Sequence, residues 1–103
     1  MIRVVYRWKV KLSEEDLFVK AWIRVTRAIR AQLKGARGSQ LLRSRNNSQE
    51  FMAIARWESF EDWQAFRQGE RVDLEGIEAM HAVGELLSME VWDEVENLLK
   101  EEV

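Results

Sequence analysis

The chain has 103 residues, a length typical of one domain, and we treat residues 1–103 as a single domain. Hydrophobic residues make up 47% and charged residues 33%, as is usual for globular proteins. The lack of cysteine excludes disulfides, thiolate nucleophiles and cysteine-ligated metal sites. No apolar run approaches the ~20 residues of a membrane span, and the first residues do not resemble a signal peptide. We therefore expect a cytoplasmic protein without membrane contact.

Charge is divided unevenly along the chain. Residues 1–45 hold 12 Lys or Arg against 3 Asp or Glu, a net +9, whereas residues 46–103 hold 4 against 15, a net −11. A basic half can bind nucleic acid. Alternatively, the two halves interleave in space and neutralise each other within the fold or across a dimer. Because the basic residues are spaced along the chain rather than clustered, we favour neutralisation and predict no nucleic-acid partner.

The first third of the chain has the pattern of a strand followed by a helix. Residues 2–12 alternate between apolar and polar side chains, which predicts a half-buried strand. Ser13 is expected to cap the next helix. Apolar residues then recur at spacings of three and four, which predicts an amphipathic helix of about twenty residues: Phe18, Trp22, Val25, Ile29 and Leu33. Gly35 is expected to end it.

The middle of the chain has the pattern of a hairpin followed by a second helix. Residues 38–45 and 50–57 are predicted strands. The asparagines between them tolerate the positive φ of a tight turn, so we expect the two strands to form a hairpin. Ser59 is the predicted cap of a helix that carries three aromatic residues, Phe60, Trp63 and Phe66. Together with Trp57, these rings lie near one strand-to-helix corner, a place where a ligand pocket can form.

The remaining elements complete an α+β ferredoxin-like order. We predict a helical segment over about 73–83, a strand over about 86–95, and an acidic tail at 96–103 that frays or clasps a neighbouring subunit. The order β-α-β-β-α-β gives an antiparallel sheet with helices on one face. Both sheet faces carry apolar residues, and helices cover only one of them. We therefore expect a homodimer through the sheet faces.

Two motifs resemble those of the antibiotic biosynthesis monooxygenase family. One is Gly35-x-x-Gly38-x-x-Leu41-x-Arg43. The other is Arg56-Trp57-Glu58-Ser59-x-Glu61-x-Trp63-x-x-Phe66. The resemblance spans nearly the whole chain and implies a dimeric α+β barrel of ferredoxin-like subunits. It also implies oxygenation of a small aromatic or quinol substrate without metal or flavin, although the superfamily includes haem-degrading enzymes, isomerases and members without known activity.

Quinone-forming members of this family have polar groups at three positions where this chain differs. Their Asn, four residues before the corner tryptophan, falls at Ala53. Their Tyr, six residues after that tryptophan, falls at Trp63, and their Arg falls at or near Ile77. The corner tryptophan itself is retained as Trp57.

A haem-binding or haem-degrading relative is a third interpretation. That branch resembles this chain in having a histidine on the late helix, here His81. Its first-strand Asn falls at Arg7 or Trp8, and its second tryptophan falls at Phe66.

Cofactor-free oxygenation needs a general base and a pocket that excludes water. The substrate is itself the reductant, a deprotonated phenol or enol that passes an electron to O₂. His81 supplies the one imidazole of the chain and is the candidate base. The alternative is a packed or boundary histidine bonded to a backbone carbonyl.

The candidate substrate-binding residues are mostly apolar or aromatic: Tyr6, Trp8, Trp57, Trp63, Phe66 and Ile77. The hydroxyl of Tyr6 would orient a ligand, and the alternative for the whole set is packing in the core or at a dimer interface. One histidine gives no multi-ligand metal site, so we predict neither metal nor cofactor. The sequence thus predicts a monooxygenase-like enzyme acting on a small apolar aromatic ligand. The alternative is a non-catalytic dimeric module that binds a hydrophobic small molecule or is purely structural.

Overall fold

The chain forms a four-stranded antiparallel sheet with three helices. The computed structural model describes residues 1–69 and 72–100. The elements in chain order are β1 (Ile2–Val10), α1 (Glu15–Gln32), β2 (Ala36–Arg43), β3 (Glu50–Trp57), α2 (Phe60–Gln68), α3 (Leu74–Val83) and β4 (Gly84–Asp93). The strands lie in the order β2-β3-β1-β4, with antiparallel neighbours. The predicted ferredoxin-like arrangement is confirmed.

Side-chain caps explain where α2 and α3 begin, but not α1. The Oγ of Ser59 accepts a hydrogen bond from the backbone N–H three residues later over 3.1 Å. Asp73 does the same for α3, also over 3.1 Å. The prediction that Ser13 caps α1 is wrong. The chain reverses after β1 through a turn in which the N–H of Glu14 donates to the carbonyl of Lys11 over 3.0 Å, and this turn places Ser13 at a φ of 71°.

β3 has its predicted range, whereas β2 and β4 are shifted along the chain. Both β2 and β4 begin and end two residues earlier than the predicted ranges 38–45 and 86–95. The hairpin between β2 and β3 is present, but among the described residues neither Asn46 nor Asn47 has the positive φ expected of its turn. The Oγ of Ser44 accepts two backbone hydrogen bonds of 3.2 Å there instead. The predicted tail, 96–103, has no regular secondary structure as far as residue 100, and residues 101–103 lie outside the described residues.

Two clusters of buried side chains lie between the sheet and the helices. The larger cluster joins the second half of β1 to α1 and α3, and its members are Trp8, Val10, Phe18, Ala21, Val25, Phe51 and Met80. The smaller cluster joins the first half of β1 to α2, and its members are Ile2, Val4, Trp57 and Trp63. Tyr6 lies between them and packs against both. Burying such apolar surface contributes about 25 cal/mol per Å² and is the main force that holds the helices on the sheet.

The oppositely charged halves of the chain neutralise each other within the fold. Among the described residues, six of the seven ion pairs join a base in 1–45 to an acid in 46–103. Glu94 contacts Arg3 over 2.9 Å and Arg56 over 3.2 Å, and the hydrogen bond from Arg3 helps hold the pKa of Glu94 below its ordinary 4.5. The predicted neutralisation is confirmed.

The sheet face opposite the helices keeps several apolar side chains. We call it the open sheet face, and its apolar residues are Val5, Leu42, Met52, Ile54 and Trp92. The side chains of Val5, Met52 and Ile54 are half-buried, whereas Leu42 is 48% and Trp92 is 58% exposed. This face therefore retains apolar surface after the chain has folded.

Candidate functional site

A cavity of about 380 Å³ lies between the sheet and the helices, lined by members of both buried clusters. Its floor consists of small residues on β2 and β3: Ala36, Gly38, Ser39, Ala53 and Ala55. Within the sheet, Ala53 faces Tyr6 and Ala55 faces Val4. Short side chains at these positions leave space that larger ones would fill. The volume is within the range of small-molecule pockets.

Large apolar side chains form the walls of the cavity. Five of the six predicted substrate-binding residues line it, namely Tyr6, Trp8, Trp57, Phe66 and Ile77. The rings of Trp57 and Phe66 stack with their centroids 5.4 Å apart and their planes at 22°. The fold brings these five residues to one space, and their role in substrate binding stays a prediction.

Trp63 is the predicted binding residue that does not line the cavity. It is 6% exposed and belongs to the smaller buried cluster. Its indole N–H donates a hydrogen bond to the hydroxyl of Tyr6 over 3.3 Å. Trp63 therefore contacts a cavity residue and not the cavity itself.

Tyr6 carries a buried hydroxyl in the cavity wall. Burial raises the pKa of Tyr6 above its usual 10.0, while the hydrogen bond from Trp63 and the positive charge of Arg67 partly oppose that rise. Because the net shift is upward, the hydroxyl stays protonated at neutral pH. It can therefore donate a hydrogen bond to a ligand but cannot serve as a base there.

His81 lies at the rim of the cavity. Its side chain is exposed although it lines the cavity. The imidazole packs on the indole of Trp8 with the ring centroids 5.2 Å apart and the planes at 54°. Within residues 1–69 and 72–100, no backbone carbonyl accepts a hydrogen bond from it. An imidazole in this position can meet both solvent and a ligand, as a general base must, and that role stays a prediction.

The charged residues in the cavity lining are all basic. Arg30, Arg56 and Arg67 line it together with His81, whereas no Asp or Glu of the described chain does. None of these three arginines was among the predicted site residues. A signal for Arg67 was present in the sequence, because it follows Trp63 by four residues and this spacing places two residues on one face of a helix.

In the part of the chain that the structure describes, no group of three or more His, Cys, Asp and Glu could hold a metal ion. None of the helices in residues 1–69 and 72–100 has the length and apolar character needed to cross a membrane.

Comparisons with known proteins relate the chain to one family. The family model described as antibiotic biosynthesis monooxygenase matches residues 1–81. The fold is similar to that of SnoaB, a cofactor-independent oxygenase from Streptomyces nogalater, at 20% identity and a TM-score of 0.79 over 96% of this chain and 97% of SnoaB. A candidate antibiotic biosynthesis monooxygenase from Deinococcus radiodurans is similar at 12% identity and a TM-score of 0.77, over 99% of this chain and 100% of that protein.

A third structure, from Caulobacter crescentus, has the same description and is 21% identical, with a TM-score of 0.76 over 92% of this chain and 90% of the other. The similarity to these three structures establishes a shared fold, and identities this low establish nothing beyond it. No curated protein matches the chain in sequence.

Proposed function

Because the chain belongs to the antibiotic biosynthesis monooxygenase family, we propose that it oxygenates a small aromatic or quinol substrate without metal or flavin. The observation that carries the proposal is the cavity of about 380 Å³, bounded by Tyr6, Trp8 and Trp57. A purely structural module would fill that space with its tryptophans. The similarity to SnoaB, a cofactor-independent oxygenase, supports chemistry without a cofactor.

In the proposed reaction the substrate supplies the electrons. His81 takes the proton of a phenol or enol at the cavity rim, and the resulting anion passes one electron to O₂. The two radicals combine, so that a carbon–oxygen bond forms at a ring carbon that bears hydrogen, and the peroxide takes back the proton that His81 holds. The C–H bond at that carbon then breaks, and its electron pair forms the carbonyl while the O–O bond releases hydroxide. The proton from the C–H bond and the hydroxide form water. The apolar walls exclude bulk water from these intermediates.

Ligand binding without turnover is the second candidate function. It is favoured by the apolar side chains at two positions where quinone-forming members have polar groups. Ala53 forms part of the cavity floor and Ile77 part of its wall. A cavity built in this way holds an apolar ring but offers few groups for proton transfer.

We also propose that a second copy of the chain covers the open sheet face. Trp92 and Leu42 are large apolar residues that remain about half exposed there, at 58% and 48%. With the half-buried Val5, Met52 and Ile54 they leave apolar surface on a sheet face that no helix covers, and exposed apolar surface of this kind can mark an interface. A two-fold dimer would bury the same patch on both subunits.

The oxygenase proposal is tested by following O₂ uptake with electron-rich naphthols, anthrones and hydroquinones. We expect uptake above the protein-free rate, and His81→Ala should lower it by about 10²- to 10⁴-fold, as is typical of a lost general base. Glu78→Ala is the matched control, because Glu78 is exposed on the same helix and does not line the cavity. Binding without uptake would favour the non-catalytic module. An unchanged rate in His81→Ala would exclude His81 as the base.

A further inference from the structure

We propose that Tyr6 and Arg67 form a subsite in the cavity that binds an anionic oxygen atom of the ligand. Tyr6 donates a hydrogen bond to a phenolate or enolate oxygen of the ligand, and Arg67 supplies the opposite charge. Trp63 is the positioning residue, which sets the direction of the Tyr6 hydroxyl. The substrate class rests on the proposed function, whereas the assignment of these three residues rests on their contacts.

The direction of the Tyr6 hydroxyl follows from its bond with Trp63. An indole N–H can donate a hydrogen bond but cannot accept one. The Tyr6 oxygen is therefore the acceptor in the 3.3 Å bond, and its own hydrogen is left for another partner. In the described part of the chain no protein group accepts that hydrogen. Since Tyr6 lines the cavity, a ligand oxygen there is the partner that this arrangement fits.

Arg67 brings a positive charge to the same place. Its guanidinium lies 5.3 Å from the ring centroid of Trp63, and it donates to the sulfur of Met89 over 3.1 Å. Both partners are neutral, and no carboxylate of residues 1–69 or 72–100 forms an ion pair with it. Its positive charge also acts to lower the pKa of the Tyr6 hydroxyl, against the larger effect of burial. Arg67 is exposed, so solvent screens its charge, and we expect the buried hydroxyl to contribute more to ligand orientation.

The other charged residues in the cavity lining are also basic. Arg30 also lines it, and the described residues place no carboxylate there, although the whole chain has a net charge of −2. A ligand with an anionic oxygen therefore enters a cavity whose ionic groups attract it. An aromatic amine carrying a positive charge would be disfavoured.

The test is binding under anaerobic conditions, where no turnover can occur. The probe is 4-nitro-1-naphthol, whose absorption spectrum reports its ionisation, and the matched probe is 1-nitronaphthalene, which lacks the hydroxyl. Tyr6→Phe keeps the ring and removes the donor. We expect it to weaken naphthol binding about 10-fold, equivalent to about 1.4 kcal/mol, and to leave 1-nitronaphthalene binding unchanged.

Arg67→Gln should weaken naphthol binding by about 3-fold, which is less than the loss of the buried donor because the charge is screened. It should also raise the pKa of the bound naphthol, which is read from its spectrum. Arg67→Lys should restore most of that pKa change. Arg27→Gln is the control, since Arg27 is an exposed arginine of α1 that does not line the cavity.

The role of Trp63 is tested by a double-mutant cycle with Tyr6. If Trp63 acts through the hydroxyl, Trp63→Phe weakens naphthol binding in the wild-type protein but has little further effect in Tyr6→Phe. A merely structural role would weaken both probes in both backgrounds. Thermal unfolding of each variant shows whether a loss of binding reflects a loss of fold.

The subsite proposal and the oxygenase proposal can be refuted independently of each other. Unchanged naphthol binding in Tyr6→Phe and Arg67→Gln, or equal losses for both probes, would overturn the subsite. So would wild-type protein that binds 1-nitronaphthalene as tightly as the naphthol. Naphthol binding that responds to both substitutions without any O₂ uptake would support the subsite and refute the oxygenase. Uptake that neither substitution affects would refute the subsite alone.

Discussion

Tyr6 on β1 faces Ala53 on β3, and this pairing of a large ring with a methyl group lies where the cavity opens above the sheet. Large side chains face each other at both ends of the same layer, as the pairs Trp8–Phe51 and Ile2–Trp57. The layer between sheet and helices is therefore filled at its ends and open in its middle. The sizes of a few strand residues, and not a loop, make the cavity.

Filling the floor should close the cavity without harming the fold. Ala53→Leu adds a side chain to empty space, so we expect naphthol binding to fall by more than about 10-fold while stability is kept or raised. Calorimetric titration and thermal unfolding measure the two effects. Ala65→Leu, at an exposed position of α2, is the control. Full binding by Ala53→Leu would mean that ligands bind elsewhere.

Tyr6 should titrate above its usual range. It is the one tyrosine of the chain, so tyrosinate absorbance reports it alone. We expect a midpoint above 10.0 in the folded protein and near 10.0 in urea, because burial raises the pKa of Tyr6. Between those midpoints the folded state holds a proton that the unfolded state has lost.

Stability should consequently fall as pH rises past about 10, and this fall should be smaller in Tyr6→Phe. A native midpoint at or below 10.0 would show that the hydroxyl is not buried as described.

Replacing either of two glycines with alanine should destabilise the protein, one through backbone strain alone and the other through strain and a steric collision. Gly35 and Gly38 have φ of 83° and 95°. A Cβ at Gly38 would find its nearest atom, in Arg30, 3.7 Å away, whereas one at Gly35 would collide with the carboxyl group of Asp62. Gly38→Ala should cost about 1–2 kcal/mol of unfolding free energy from strain, and Gly35→Ala should cost more.

Urea unfolding measures both changes. Asp62→Ala in the Gly35→Ala background should recover part of the difference. Equal costs for the two glycine variants would argue against the collision.

A charge on the open sheet face should separate the proposed dimer. Light scattering at micromolar concentration should give twice the chain mass of 12.2 kDa for the wild type and 12.2 kDa for Ile54→Lys. Gln64→Lys places the same charge on an exposed position of α2 and should remain dimeric. A monomeric wild-type protein would refute the proposal.

The sequence alone predicts those helices and strands whose apolar pattern lies within one continuous stretch of the chain. Alternation over residues 2–12 identified β1, and the spacing of Phe18 to Leu33 identified α1, because each period reflects burial of one face. The cap at Ser13 was mispredicted, since the turn after β1 constrains the backbone more strongly than the side chain does. The hydrogen bond between Trp63 and Tyr6 joins residues 57 positions apart, and no local period encodes such a crossing.

The position of β1 between β3 and β4 also bears on how the protein is made. β1 is synthesised before both of its partners, and it pairs with Glu50–Trp57 on one edge and with Gly84–Asp93 on the other. Until those residues are synthesised, Tyr6, Trp8 and their neighbours have no sheet to join. Such long-range pairing slows folding, and an unpaired apolar strand invites aggregation. The strand that carries the cavity hydroxyl thus stays unpaired during synthesis for longer than any other strand of the described sheet.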